Sequence, residues 1–348
     1  MKKFKRVLAV MPLLVALLFI SACSSNCTSG HSSSCCKHKT AQTIVKPQFL
    51  QPGDSIGIMT ISSPMDADSR AEADSLIDIA RSWGVNIKLG ENLFKKEFLA
   101  FSASDKERAE EFMRMIKNDN LKAILFYRGG YGAIRTLEYI DWEEVKKHPK
   151  WIVGFSDVTT LLMVYANMGM QTIHGAMPNS YWTTRRPDSS AITVSDALFG
   201  RLQKYHVDPH PFNKFGEAEG ILVGGNMTLI SIAEGTPYNL NINDNSILFI
   251  EEVGEGFNDV DRYMQQLKKS GKLNKVKAMV IGSYRRVVDS EDPWGISLYE
   301  LLKTYTDELD IPVIYNYPAG HGRPHYATYI GGKVKVTVNE NGADLEFL

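Results

Sequence analysis

The chain has 348 residues, 44% hydrophobic and 23% charged, and its 39 basic and 40 acidic side chains leave a net charge of −1. Such a length accommodates two domains with cores of their own. The balanced charge gives no basic face, which argues against nucleic acid as a partner. All four cysteines (Cys23, Cys27, Cys35, Cys36) lie close to the N-terminus. The body therefore has no disulfide, no thiol nucleophile and no Cys-ligated metal.

Residues 1–22 have the layout of a secretory signal. Lys2, Lys3, Lys5 and Arg6 precede an apolar run from Val7 to Ile20 that is short for a membrane span. The run ends in Ile20-Ser21-Ala22-Cys23, which resembles the lipobox of bacterial lipoproteins. That resemblance implies cleavage before Cys23, lipidation of its thiol and a membrane anchor in the bacterial cell envelope, periplasmic or otherwise extracytoplasmic. A plain secretory signal with an incidental cysteine is the other reading. Residues 23–46 are rich in Ser and read as a flexible tether. Cys27, His31, Cys35, Cys36 and His38 would alternatively bind a metal or form a disulfide there; the tether reading expects neither metal nor cofactor.

Residues 47–178 read as an α/β domain. After the turn Gln51-Pro52-Gly53-Asp54 comes a strand, Ser55–Ile61, broken by Ser62-Ser63-Pro64. Ala73, Leu76, Ile77 and Ala80 fall on one helical stripe ended by Gly84, and Val85–Leu89 alternates as a second strand. Ser104 followed by Glu107 is a capping box that opens a helix with Phe112, Met115 and Ile116 inward. Ala123–Tyr127 is apolar throughout, as in a parallel sheet covered on both faces. It runs into Arg128-Gly129-Gly130-Tyr131-Gly132 and a helix over Ala133–Ile140. The strand Trp151–Val153, the corner Gly154-Phe155-Ser156-Asp157 and a helix from Val158 follow, and Gln171–His174 closes the series. This alternation predicts a doubly wound parallel sheet with its ligand site outside the carboxyl ends of the strands.

In residues 179–216 the pattern is lost, and Pro187, Pro209 and Pro211 suggest a linker with some local structure. A second, β-rich domain over 217–348 offers strands at Gly220–Val223, Ser246–Ile250, Ala278–Gly282 and Pro312–Tyr315, with Lys333–Val338 as the last. Helices are expected around Asp261–Leu267 and Leu298–Leu309.

Two loops in the first domain carry chemical possibilities. A serine on a sharp strand-to-helix turn has its hydroxyl lifted clear of the sheet, beside the first free N–H groups of the helix. Ser156 would thus serve either as a nucleophile or as a plain helix cap. The Arg128–Gly132 loop would be an anion cradle, a tight turn, or a donor of backbone N–H groups to a substrate carbonyl; it lacks G-x-G-x-x-G and Walker spacing. A serine needs a base, and the base an orienting acid. Among eight histidines, His321 stands on a loop between glycines, and His174 ends a strand. Glu251 and Glu252 follow the strand I-L-F-I directly, so alternation sends one to the cleft and the other away.

The ordered set of motifs resembles the LD-carboxypeptidases, serine peptidases of the class that includes the microcin C immunity protein. The matching stretches are Pro52-Gly53-Asp54, Arg128–Gly132, Gly154–Thr159, His174-Gly175, Gly224-Gly225-Asn226, Gly235-Thr236-Pro237, I-L-F-I-E at 247–251, Asp261-Arg262 and Gly320-His321. The resemblance implies an α/β domain with a smaller β-rich C-terminal domain, commonly as a homodimer. It implies a triad of Ser156, Glu251 and His321, with Glu252 standing where the family usually has Asp, and an oxyanion hole from the N–H groups of Asp157 and Gly130. It implies removal of the terminal D-Ala from peptidoglycan tetrapeptides, with no metal. Arg128 would pair the substrate's carboxylate or anchor its own loop. A microcin-immunity-type hydrolase of an aminoacyl-nucleotide and a non-catalytic lipoprotein that binds wall peptides are the alternatives.

Overall fold

The computed structural model describes residues 43–65, 69–95, 99–183, 189–289, 291 and 293–348. The signal segment, Cys23 and nearly all of the tether lie outside these residues. From Gln42 onward the chain is one compact unit built on two sheets. The first contains β1 (Ser55–Met59), β2 (Asn86–Leu89), β3 (Leu121–Phe126), β4 (Trp151–Gly154) and β5 (Thr172–His174), parallel to one another in the order β2-β1-β3-β4-β5. Winding runs one way from β1 to β2 and the other from β3 to β5. The order therefore reverses beside β1 and β3, where doubly wound sheets open a crevice.

The helices form where the sequence pattern directs them. Helix α1 (Arg70–Arg81) buries Ala73, Leu76, Ile77 and Ala80, and α2 (Asp105–Ile116) starts on the capping box in which Ser104 Oγ accepts from Glu107 N. The helix expected over Ala133–Ile140 is a 3-10 helix at Ala133–Tyr139, opened by the left-handed Gly132. After α3 (Trp142–Lys147), helix α4 (Thr159–Asn167) is buried over almost its whole circumference. Its apolar sequence from Leu161 to Ala166 reflects this: it is covered by the second sheet as well as by the first.

Residues 179–216 are more ordered than a linker. They hold most of α5 (Pro178–Tyr181), then α6 (Ser189–Leu198) and β6 (Lys204–Val207), and β6 pairs with the last strand of the second sheet. That sheet has seven strands. Its strands β7 (Gly216–Asn226), β8 (Ser246–Val253), β9 (Val276–Arg285) and β10 (Val313–Ile314) run parallel; β12 (Lys333–Asn339), β13 (Gly342–Phe347) and β6 extend it antiparallel. Between them lie helices α7 (Met227–Ile232), α8 (Phe257–Lys269) and α9 (Leu298–Thr306). Lys333–Val338 is thus followed by one more strand. The short β11 (Thr328–Ile330) crosses back and pairs antiparallel with β5, so the C-terminal half supplies the edge of the first sheet. Each sheet borrows from the other's stretch of chain.

Candidate active site

The corner after β4 is strained. Phe155 is extended, and Ser156 then adopts φ 60° before a 3-10 turn leads into α4. A left-handed conformation costs a side-chain-bearing residue about 1–3 kcal/mol and persists only where the surroundings enforce it. Here the enforcement comes from below. Phe155 is buried, with ring centroids 4.8 Å from His321, 4.4 Å from His325 and 5.7 Å from His174. Ser156 itself is half-buried, so its hydroxyl remains reachable.

Asp157 holds the neighbouring loops to this corner. Its buried carboxylate accepts from Ser62 Oγ at 2.5 Å and from Ala133 N at 2.7 Å, which ties together the ends of β1, β3 and β4. Burial pushes its pKa up, against the pull of those hydrogen bonds and of Arg108. Arg108, wholly buried, donates to the carbonyls of Ile61, Ala103 and Gly132 and pairs with Asp105. The glycine-rich loop then closes on the serine: a Cβ at Gly129 would lie 3.3 Å from Ser156 Oγ. Gly130 is exposed at φ 121°, against Ser63. Arg128 Nη1 donates to Pro64 O at 3.0 Å, which anchors the loop.

The second sheet brings the remaining groups. At the carboxyl end of β8 the alternation separates the two glutamates. Glu251 Oε2 lies 2.5 Å from His321 Nδ1, and His321 Nε2 lies 3.2 Å from Ser156 Oγ. Glu252 faces away and accepts from Asn226 Nδ2 at 2.7 Å, Thr228 N at 2.7 Å, Thr228 Oγ1 at 3.0 Å and Val253 N at 2.8 Å. His321 reaches Glu251 because Gly320 (φ 112°) sits against that side chain; a Cβ there would come within 2.6 Å of Glu251 Cβ. Glycine is the residue that both conditions admit.

Electrostatics differ for each member. Burial alone would raise the pKa of Glu251, but the charge of His321, the hydrogen bond with its ring and the neighbouring His174 imidazole hold it below the usual carboxylate range. Glu251 is therefore an anion. Burial and the charge of Glu251 push Glu252 up to about 7, against its hydrogen-bond donors. Burial pushes His174 below, and His325 well below, the ordinary histidine value. Among the described residues no group of three or more His, Cys, Asp or Glu side chains is placed to hold a metal ion.

The geometry thus joins Ser156, His321 and Glu251 in one hydrogen-bonded row, with the Gly129-Gly130 loop beside the serine. His174 and His325, Phe155, Arg108 and the carboxylate of Asp157 complete the surroundings. The sequence offers His174 as a strand-end histidine and Asp157 for its backbone N–H alone, and assigns no role to Phe155, Arg108 or His325. The G-F-S-D corner marks Asp157, but nothing in spacing assigns its carboxylate partners 24 and 95 residues away.

Comparison with known proteins gives the class. Residues 56–175 match the family model of the LD-carboxypeptidase N-terminal domain, and residues 219–336 match that of the C-terminal domain. The chain belongs to the LD-carboxypeptidase family and is a serine carboxypeptidase-type hydrolase. It is similar to the probable murein peptide carboxypeptidase of Bacillus subtilis, with 30% identity over 307 residues covering 86% of this chain and 94% of that one. It is 24% identical over 319 residues to the microcin C7 self-immunity protein of Escherichia coli, covering 82% of this chain and 91% of that one. The crystal structure of the muramoyltetrapeptide carboxypeptidase from Oxalobacter formigenes superposes with a TM-score of 0.76 at 26% identity, covering 84% of this chain and 98% of that one.

Proposed function

We propose that the protein is an L,D-carboxypeptidase that removes the terminal D-Ala of peptidoglycan tetrapeptides through a covalent acyl-enzyme on Ser156. The observation that carries this reading is the row Ser156–His321–Glu251, with contacts of 3.2 and 2.5 Å, at the mouth of a left-handed strand-end corner. His321 carries its proton on Nδ1, facing the Glu251 anion, and Nε2 accepts the Ser156 proton as Oγ bonds to the carbonyl carbon of the L-centre. The developing oxyanion sits against the N–H groups of Asp157 and Gly130, each worth about 3 kcal/mol in the transition state. His321 then gives its proton to the nitrogen of the departing D-Ala as the C–N bond breaks. Water loses a proton to His321 and adds to the acyl carbon; His321 returns that proton to Ser156 Oγ as the C–O bond breaks, which frees the serine and the tripeptide carboxylate.

Arg128 has one nitrogen engaged by Pro64 O; its remaining donors are proposed to face the terminal carboxylate of the substrate. The lipobox-like Ile20–Cys23 stretch supports a further proposal, that the enzyme is lipid-anchored in the cell envelope, and family resemblance supports a homodimer. Cys23→Ser would then move the mature protein out of the membrane fraction, and an unchanged partition removes the anchor from the account.

The substrate reading is tested with the protein from residue 43 onward and two stem peptides that differ only in the configuration of the last residue. Release of D-Ala from the L,D peptide, with the all-L analogue at least tenfold slower, is the expected result. Equal rates, or none on either, remove L,D-carboxypeptidase from the account.

A further inference from the structure

The row of hydrogen bonds does not account for the second oxygen of Glu251. Oε1 is fully buried, has no hydrogen-bond partner, and lies 3.9 Å from Nε2 of His174, which is also buried and unpartnered. An ionised carboxylate with a buried, unpaired oxygen is costly, and the hydrogen bond to His321 fixes only one of its two oxygens. His174 is well placed to hold the other. The residue ends β5 beside Gly154 of β4, two positions before the nucleophile. Its ring is wedged between the edges of Phe249, 4.9 Å away, and Phe155, 5.7 Å away. Its other nitrogen, Nδ1, lies 3.3 Å from His325 Nε2, and His325 is buried too.

Two imidazoles in contact fix each other's tautomers, because one nitrogen of the pair donates and the other accepts. If His174 Nδ1 donated to His325, its Nε2 lone pair would face a carboxylate oxygen in a dry pocket, which is repulsive. If His325 Nε2–H donates instead, His174 carries its proton on Nε2, aimed at Glu251. Resting on the Ser156–His321–Glu251 reading, we propose that His174 is a positioning residue. It presents Nε2–H to Glu251 Oε1, and a shift of less than 1 Å closes that contact into a hydrogen bond as charge develops on His321. The nucleophile strand would in this way steer the acid on the opposite sheet.

The test has two arms. In the first, kcat and KM for D-Ala release are measured for His174→Phe, which keeps the ring and removes the donor, and for His174→Gln, whose amide nitrogen reaches the position of Nε2. The Phe variant should lose roughly ten- to a hundredfold in kcat, as befits a hydrogen bond to a charged group, with KM within about twofold. The Gln variant should recover to within about threefold of the natural enzyme. Equal kcat for the two variants overturns the proposal, since a purely structural histidine has no reason to prefer Gln over Phe. The second arm needs no variant and therefore no variant's folding: 15N NMR of the histidine rings in the unsubstituted protein. A protonated Nε2 on His174 is expected; an unprotonated one overturns the proposal. If the unsubstituted protein releases no D-Ala, the substrate reading fails while the NMR result still decides this one.

Discussion

The two sheets contribute to the site in different ways. The first sheet fixes a backbone: β4 delivers Ser156 in a left-handed corner, and Asp157 and Arg108 bind the loops after β1 and β3 around it. The second sheet fixes side chains: β8 places Glu251, and Glu251 in turn orients His321 on a loop between glycines. Strain is stored on one side and charge on the other. The two meet at Phe155, whose ring packs against His321 and His325.

The sharpest way to break the second half is Glu251→Gln. It keeps volume while removing the anion that holds His321 in its tautomer, and should lower kcat roughly 10⁴-fold with little change in melting temperature. Glu252→Gln, one residue on, should leave kcat within about threefold because its carboxylate faces Asn226 and Thr228; an equal loss from both substitutions would erase the distinction. For the first half, Asp157→Ala leaves Ser62 Oγ and Ala133 N without their acceptor. It should cost about 2–4 kcal/mol of stability, read by urea unfolding, whereas a change within 0.5 kcal/mol would remove Asp157 as the tie between loops.

Gly320→Ala probes the packing of the second half. A Cβ at φ 112° within 2.6 Å of Glu251 Cβ must displace that side chain, so activity should fall by roughly tenfold or more while the first sheet stays folded. A further effect concerns pH. Burial and the charge of Glu251 push the Glu252 carboxyl up to about 7 in the folded chain from its ordinary value of 4.5. Between those values the folded state binds the extra proton, so this residue makes stability fall as pH rises from about 4.5 to 7 and level off above. The urea midpoint should decline over that window, and decline less steeply in Glu252→Gln; an equal slope in both would assign the titration elsewhere.

Much of this was legible from the sequence because the reactive loops are punctuated by glycine. Gly154, Gly320 and the Arg128–Gly132 run mark sites where the backbone must bend or approach closely, and Glu251 is marked by its place directly after a buried strand. The strands of the first sheet and the stripe on α1 follow from periodicity in the same way. What escaped depends on contacts between distant segments. Lys204–Val207 alternates, but four residues flanked by proline-rich chain read as loop until β13 pairs with them. Thr328–Ile330 is too short to announce a strand, and its partner β5 lies in the other half. Arg108 reads as one more charge on an amphipathic helix, yet it is buried because three carbonyls and Asp105 meet it there. His325 sits in a polar loop sequence that carries no hint of a dry neighbour at 3.3 Å.

The central claim is that Ser156 is the attacking group. It is tested most directly by replacing that hydroxyl alone and following D-Ala by mass spectrometry from an L,D-tetrapeptide. The account predicts that Ser156→Ala, with its fold and peptide binding intact, loses roughly 10⁶-fold in kcat. Release at an undiminished rate would contradict it.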